Sequence, residues 1–315
     1  MHRYLTPIAI LALANCAIAA QLVDGEMQTS LLPHALKFSV LLPDGYESSK
    51  DAYPLLFMLH GGGGDNGFLK RMQPVIEREW AAGTLPKMIA VTPDAQRSFY
   101  MDYKDGSQRW ETVIMGPFLD HLRKTYRVID GPKGLYMLGI SMGGMGDLRM
   151  GMKYPNRIGG VVAMEPGVDP VLKWKDELPR HRFWRPPELM ESIYGKPFDV
   201  PYWEANNPAT IANNNADKIR ASGIAIYMDA GTEDGFGLNE ATEFMHQILW
   251  KNNIKHEYRL IWGADHVGRT LVPRTAEGLR FIGRVVNPPP PDPAAEALHQ
   301  RNAPLRERAE KEKWR

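Results

Sequence analysis

The chain has 315 residues, 43% of them hydrophobic, which is enough to bury a large core within one domain. Its 38 basic and 37 acidic side chains leave a formal net charge of +1, so no long-range field draws it to nucleic acid or an anionic membrane, and polyanionic partners are not expected. Cys16 is the single cysteine, which excludes an internal disulfide framework.

Residues 1–20 read as a secretory signal peptide. His2 and Arg3 lead, residues 5–14 are mostly apolar, and Ala17-Ile18-Ala19 offers a cleavage site. The apolar run is short for a bilayer and is broken by Pro7 and Asn15, so the mature chain is expected to be exported, to the periplasm or the medium, without a stable membrane span. Leu13-Ala14-Asn15-Cys16 faintly resembles a lipoprotein signal, but polar Asn15 stands where a small residue belongs. Cleavage would remove Cys16 and leave a mature chain without thiol chemistry.

Residues 21–287 form the main domain. Apolar runs predict strands over 36–42, 54–59, 88–91, 135–138, 159–164, 224–230 and 257–262, and several are continuously apolar, as strands covered on both faces are. Helical patterns occupy 68–82, 111–126, 142–153, 239–252 and 274–286. This alternation predicts an α/β fold with a mainly parallel, doubly wound sheet, whose ligands bind beyond the carboxyl ends of the strands. His60, Ser141, Asp234 and His266 all fall at or just after such ends. Residues 168–215 break the rhythm, with Trp174, Phe183, Trp184, Tyr194, Phe198, Tyr202 and Trp203 scattered among prolines, and read as a cap insertion over the sheet. Residues 288–315 begin with Pro288-Pro289-Pro290-Pro291-Asp292-Pro293, a stiff spacer, and end in a charged tail.

Gly139-Ile140-Ser141-Met142-Gly143 is a G-x-S-x-G pentapeptide between a predicted strand and a predicted helix. A serine on such a sharp turn projects its Oγ clear of the sheet only if its neighbours are small, and Gly139, Gly143 and Gly144 supply that room. The hydroxyl needs a histidine to take its proton and a carboxylate to fix that histidine's tautomer; for a serine on this turn the chain order is Ser, acid, His. His181 lies in the cap, His246 within a helical pattern, His256 at a strand start and His299 beyond the spacer. His266, in the glycine-containing loop Trp262-Gly263-Ala264-Asp265-His266, is the expected base. Asp229, Glu233 and Asp234 compete for the acid; a loop residue can swing toward the histidine where a strand residue is committed to one face, which favours Asp234 over Glu233 and Asp229. The oxyanion should meet the N–H of Met142 and one N–H of His60-Gly61-Gly62-Gly63-Gly64, for which Gly62 is favoured; His60 itself reads as structural. Trp184, Tyr202 and Trp203 are candidates to line the substrate pocket.

With these motifs the chain resembles the putative-esterase family of α/β-hydrolases, which includes secreted feruloyl and acetyl-xylan esterases, S-formylglutathione hydrolases and mycolyltransferases. The resemblance covers about residues 38–286, through Leu59-His60-Gly61-Gly62, the serine pentapeptide with Gly144, Gly231-Thr232-Glu233-Asp234 and Gly263-Ala264-Asp265-His266. Ser98-Phe99-Tyr100-Met101-Asp102 with Trp110-Glu111-Thr112 looks like the corresponding piece of the mycolyltransferases. Gly116-Pro117 departs from the Glu-Leu of many members, and the residues after His266 lack the family's usual aromatic. The resemblance implies an α/β-hydrolase fold and an acid and base at Asp234 and His266. The expected function is a secreted serine carboxylic-ester hydrolase acting through an acyl-enzyme, on acyl or feruloyl esters of sugars or small alcohols, with neither metal nor organic cofactor. An acyltransferase of the mycolyltransferase type and a catalytically inactive binding module are the alternatives.

Overall fold

Every residue of Leu55–Leu59, Ile89–Pro93, Leu135–Ile140 and Gly160–Met164 is buried, as strands sandwiched between two helical layers must be. In the computed structural model, which describes residues 20–311, these four segments are the centre of an eight-stranded sheet. In chain order its strands are β1 (Gln21–Met27), β2 (Leu36–Leu42), β3 (Leu55–Leu59), β4 (Ile89–Pro93), β5 (Leu135–Ile140), β6 (Gly160–Met164), β7 (Ala225–Gly231) and β8 (Glu257–Ile261). Side by side they run β1-β2-β4-β3-β5-β6-β7-β8. The strands from β3 to β8 are parallel, while β2 is antiparallel to β4 and β1 to β2.

Alternate residues of the central strands enter different cores. Leu55, Phe57 and Leu59 belong to one, with α3 (Leu119–Thr125), α4 (Met142–Lys153) and α9 (Leu238–Lys251); Leu56 and Met58 belong to the other, with α1 (Phe68–Ala81) and α10 (Leu271–Val286). The expected doubly wound, mainly parallel α/β-hydrolase fold is therefore observed. The signal peptide expected over 1–20, with Cys16, lies outside the described residues apart from Ala20. Among the described residues no helix is long and apolar enough to cross a membrane.

Three elements differ from the sequence reading. β1 was not expected, because its exposed edge and the acids Asp24 and Glu26 hide the apolar pattern. It pairs with β2 along its whole length, and Gly25 lies under the Phe38 ring, where a Cβ would come within 2.4 Å of the ring. The helix expected over 111–126 is broken: α2 (Trp110–Val113) passes through a π turn at Ile114–Phe118 before α3, with Gly116 at φ −122°, ψ −108°. Pro117 lacks the N–H that a regular helix would use there. α10 starts at Leu271 rather than after Pro273, since proline is tolerated in a first turn.

The segment 168–215 folds into two 3₁₀ turns, Trp174–Asp176 and Pro179–His181, and three helices, α5 (Pro187–Tyr194), α6 (Val200–Asn206) and α7 (Pro208–Asn214). α7 packs on α4 and α9, and Ile193, Tyr194, Trp203, Ala209 and Ala212 join the same core as one sheet face. After α8 (Ala216–Ser222) the chain returns to β7. Beyond α10, the terminal helix Pro293–Lys311 (α11) has no buried residue.

Candidate active site

Ser141 follows β5 and caps α4 at φ 56°, ψ −113°, a left-handed conformation that costs a non-glycine residue about 1–3 kcal/mol and persists only where surroundings enforce it. Two glycines enforce it. A Cβ on Gly139 would stand 2.3 Å from the Gly143 carbonyl carbon, and one on Gly143 would stand 2.1 Å from the Leu59 carbonyl oxygen, so the turn closes against β3 only without side chains. The Ser141 N–H donates to the Met164 carbonyl at 2.9 Å, and its own carbonyl accepts from Met145 at 3.0 Å and Gly167 at 2.9 Å. Beneath this turn Asp147 is fully buried with no hydrogen-bond partner for either oxygen among the described residues, and burial pushes its carboxyl well above the usual range.

Across from the serine, Asp234 and His266 are both buried, and His266 Nδ1 lies 2.9 Å from Asp234 Oδ2. Asp234 Oδ1 accepts from the N–H groups of Phe236 at 2.8 Å and Leu238 at 3.3 Å, as a carboxylate ahead of a helix commonly does. The Phe236 ring meets His266 edge-on, centroids 4.5 Å apart. Asp265 Oδ1 accepts from the N–H of His266 at 2.6 Å and of Gly235 at 3.1 Å, tying the two loops together.

Of the competing acids, Glu233 is exposed and accepts from the Thr232 hydroxyl at 3.2 Å. Asp229 points elsewhere: it pairs with Arg274 and accepts from the Tyr227 hydroxyl at 3.0 Å. Arg274 also pairs with Glu165, and its Nη1 donates to the Asp265 carbonyl at 3.1 Å. Two buried carboxylates thus share one guanidinium, and burial pushes the Asp229 carboxyl up to about 7. His60 is locked structurally. Its Nε2 accepts from the Ala95 N–H at 3.0 Å, so Nδ1 carries the proton and donates to the Gly61 carbonyl at 2.8 Å, and burial lowers its pKa.

Ser141 and His266 open onto one cavity of about 630 Å³, beyond the carboxyl ends of the strands. Met142 and Gly62 line it too. As the first residue of α4, Met142 has an N–H with no partner one turn earlier in that helix. Of the three aromatics expected over the serine, Trp184 lines the cavity, stacked on Phe99 with centroids 6.1 Å apart. Tyr202 and Trp203 do not line it. Trp203 is buried in the core and its Nε1 donates to Asp169 Oδ2 at 3.0 Å, while the Tyr202 hydroxyl donates to the Asp102 carbonyl at 2.7 Å. The Tyr202 tip thereby ties 168–215 to the body, and the Trp203 tip makes a bond within that segment. The sequence reading missed Phe99 and Phe236 as cavity residues, and Arg71 and Arg97 with them. Phe99 sits in the mycolyltransferase-like stretch, and it and Tyr100 share φ 55°, a signal that only coordinates reveal.

A family model described as "Putative esterase" matches residues 29–269. The chain belongs to this family. The resemblance expected from the motifs is thus borne out, with the match beginning before residue 38. Esterase Rv1288 of Mycobacterium tuberculosis (strain ATCC 25618 / H37Rv) is 32% identical over 132 residues, which are 41% of this chain and 28% of that relative's length. Among solved structures, a ferulic acid esterase superposes with a TM-score of 0.69 at 23% identity, over 85% of this chain and 99% of its own. S-formylglutathione hydrolase from Agrobacterium tumefaciens gives 0.70 at 16% identity, over 87% and 98%. The fluorophosphonate-binding serine hydrolase FphF of Staphylococcus aureus gives 0.68 at 16%, over 85% and 99%. At such identities these likenesses speak for the fold.

Proposed function

We propose that the protein is an exported serine carboxylic-ester hydrolase that works through an acyl-enzyme. The observation that carries this reading is the 2.9 Å contact of His266 with Asp234 on a cavity that Ser141 shares. Asp234 accepts the Nδ1 proton of His266, which leaves Nε2 as the base. Ser141 Oγ attacks the ester carbonyl carbon as His266 takes its proton; the carbonyl oxygen becomes an oxyanion facing the N–H groups of Met142 and Gly62. His266 then protonates the departing alcohol, and a water activated the same way cleaves the acyl-serine. The flat rings of Trp184, Phe99 and Phe236 support acyl groups with an aromatic or extended apolar part, consistent with acyl or feruloyl esters of sugars or small alcohols. Export rests on the leader-like residues 1–20.

A fluorophosphonate probe tests the nucleophile. It should label the wild type and leave Ser141→Ala unlabelled, and the substitution should lower turnover of 4-nitrophenyl esters by about a thousandfold or more. Equal labelling of both proteins would overturn the assignment.

A further inference from the structure

Apart from Ser141 and His266 the cavity wall is glycine and apolar side chains, with two exceptions. Arg71 on α1 and Arg97 in the loop after β4 both line it, and no Asp or Glu does. Both side chains reach solvent, whereas the buried arginines Arg149, Arg185 and Arg274 sit on Glu111, on Asp169, and on Asp229 with Glu165. Arg71 and Arg97 have no carboxylate within 4.0 Å among the described residues. The acids beside them in sequence serve their own loops: Asp65 accepts from the Gly67 N–H at 2.9 Å and Asp94 from the Gln96 N–H at 3.2 Å. Arg97 is fixed in place, since its Nη2 donates to the Trp184 carbonyl at 2.6 Å and its Nε lies 3.6 Å from where a Gly62 Cβ would be. That single bond uses one of the five donors of a guanidinium.

We propose that Arg71 and Arg97 form an anion-reading rim, so that the preferred substrate is an ester carrying a carboxylate within a few bonds of the scissile carbonyl. The inference rests on the hydrolase reading of the same cavity. Two like charges beside an apolar surface raise the local concentration of anions, and guanidinium forks match carboxylate oxygens geometrically. The apolar wall takes the uncharged part of the substrate and the rim its charge.

Matched esters that differ by methylation of one carboxylate test this. Mono-4-nitrophenyl adipate and its methyl ester place the charge on the acyl side; 4-acetoxybenzoate and its methyl ester place it on the alcohol side. In at least one pair the anionic ester should have the higher kcat/KM, by about tenfold or more, the scale of one charge-assisted contact. The ratio should fall in Arg71→Gln/Arg97→Gln and shrink with added salt. Reading the ratio separates charge recognition from any general loss of turnover. No preference in either pair, or a preference that survives the double substitution, overturns the rim, while cleavage of the neutral esters would leave the hydrolase reading intact. Calorimetric binding of the same pairs to Ser141→Ala needs no turnover. If no ester is cleaved yet the anionic one binds about tenfold tighter, the hydrolase reading fails and the rim stands; equal binding sinks the rim.

Discussion

On the serine wall of the cavity, position is set by backbone alone: β5, one strained residue and α4 are contiguous in the chain, and Gly139 and Gly143 let the turn press against the Leu59 carbonyl. On the histidine wall nothing comparable is contiguous. His266 and Asp234 lie in separate loops after β8 and β7, joined by the Asp265 carboxylate and pinned from behind by Arg274 of α10 and its two buried acids. The first wall resists change because backbone fills the space; the second depends on charges that are tolerable inside a protein only while paired.

The largest effect should come from separating the two walls chemically. Asp234→Asn keeps the packing but favours the wrong imidazole tautomer, so kcat for a 4-nitrophenyl ester should fall by about 10²–10⁴ while Glu233→Gln, at an exposed position, stays near wild type. The reverse outcome in folded proteins would transfer the orienting role to Glu233.

Next in size is the hidden support of the histidine wall. Arg274→Met leaves Glu165 and Asp229 buried without their cation and frees the Asp265 carbonyl. Breaking such a pair costs about 3–5 kcal/mol, so thermal unfolding should drop by many degrees. An unchanged melting temperature would mean that the cluster is not what holds this wall.

Trp203 and Trp184 divide 168–215 between packing and binding. Trp203→Ala should cost about 3–5 kcal/mol, because a large buried ring leaves a cavity. Trp184→Ala should instead raise KM for aryl esters with a nearly unchanged melting temperature. Similar unfolding of both variants would make Trp184 a packing residue as well.

The smallest effect is a pH slope on the serine wall. Asp147 has a folded pKa raised by burial above its unfolded value of about 3.9, so the native state holds its proton more tightly than the unfolded chain. Stability must therefore decline as pH rises from about 4 through the raised folded pKa. Asp147→Asn removes that titration, and its melting temperature relative to wild type should be higher at pH 9 than at pH 5. A constant difference across that range would show that Asp147 ionises alike in both states.

Seven of the eight strands were legible because most are short apolar runs between turn-forming residues, and the serine because strand, glycine turn and helix are neighbours in sequence. Other features were decided only by tertiary structure. β1 has too little apolar pattern to announce itself and exists because β2 offers it a full ladder. Asp229, Glu233 and Asp234 are chemically alike, and what distinguishes them is what surrounds each: Arg274, solvent or His266. Trp184 and Trp203 are one residue type in one segment, yet one faces the cavity and the other the core. Amino-acid type and spacing carry the local geometry of a turn or a strand. Which partner a side chain meets is fixed by elements far away in the chain, and that information exists only once the sheet has assembled.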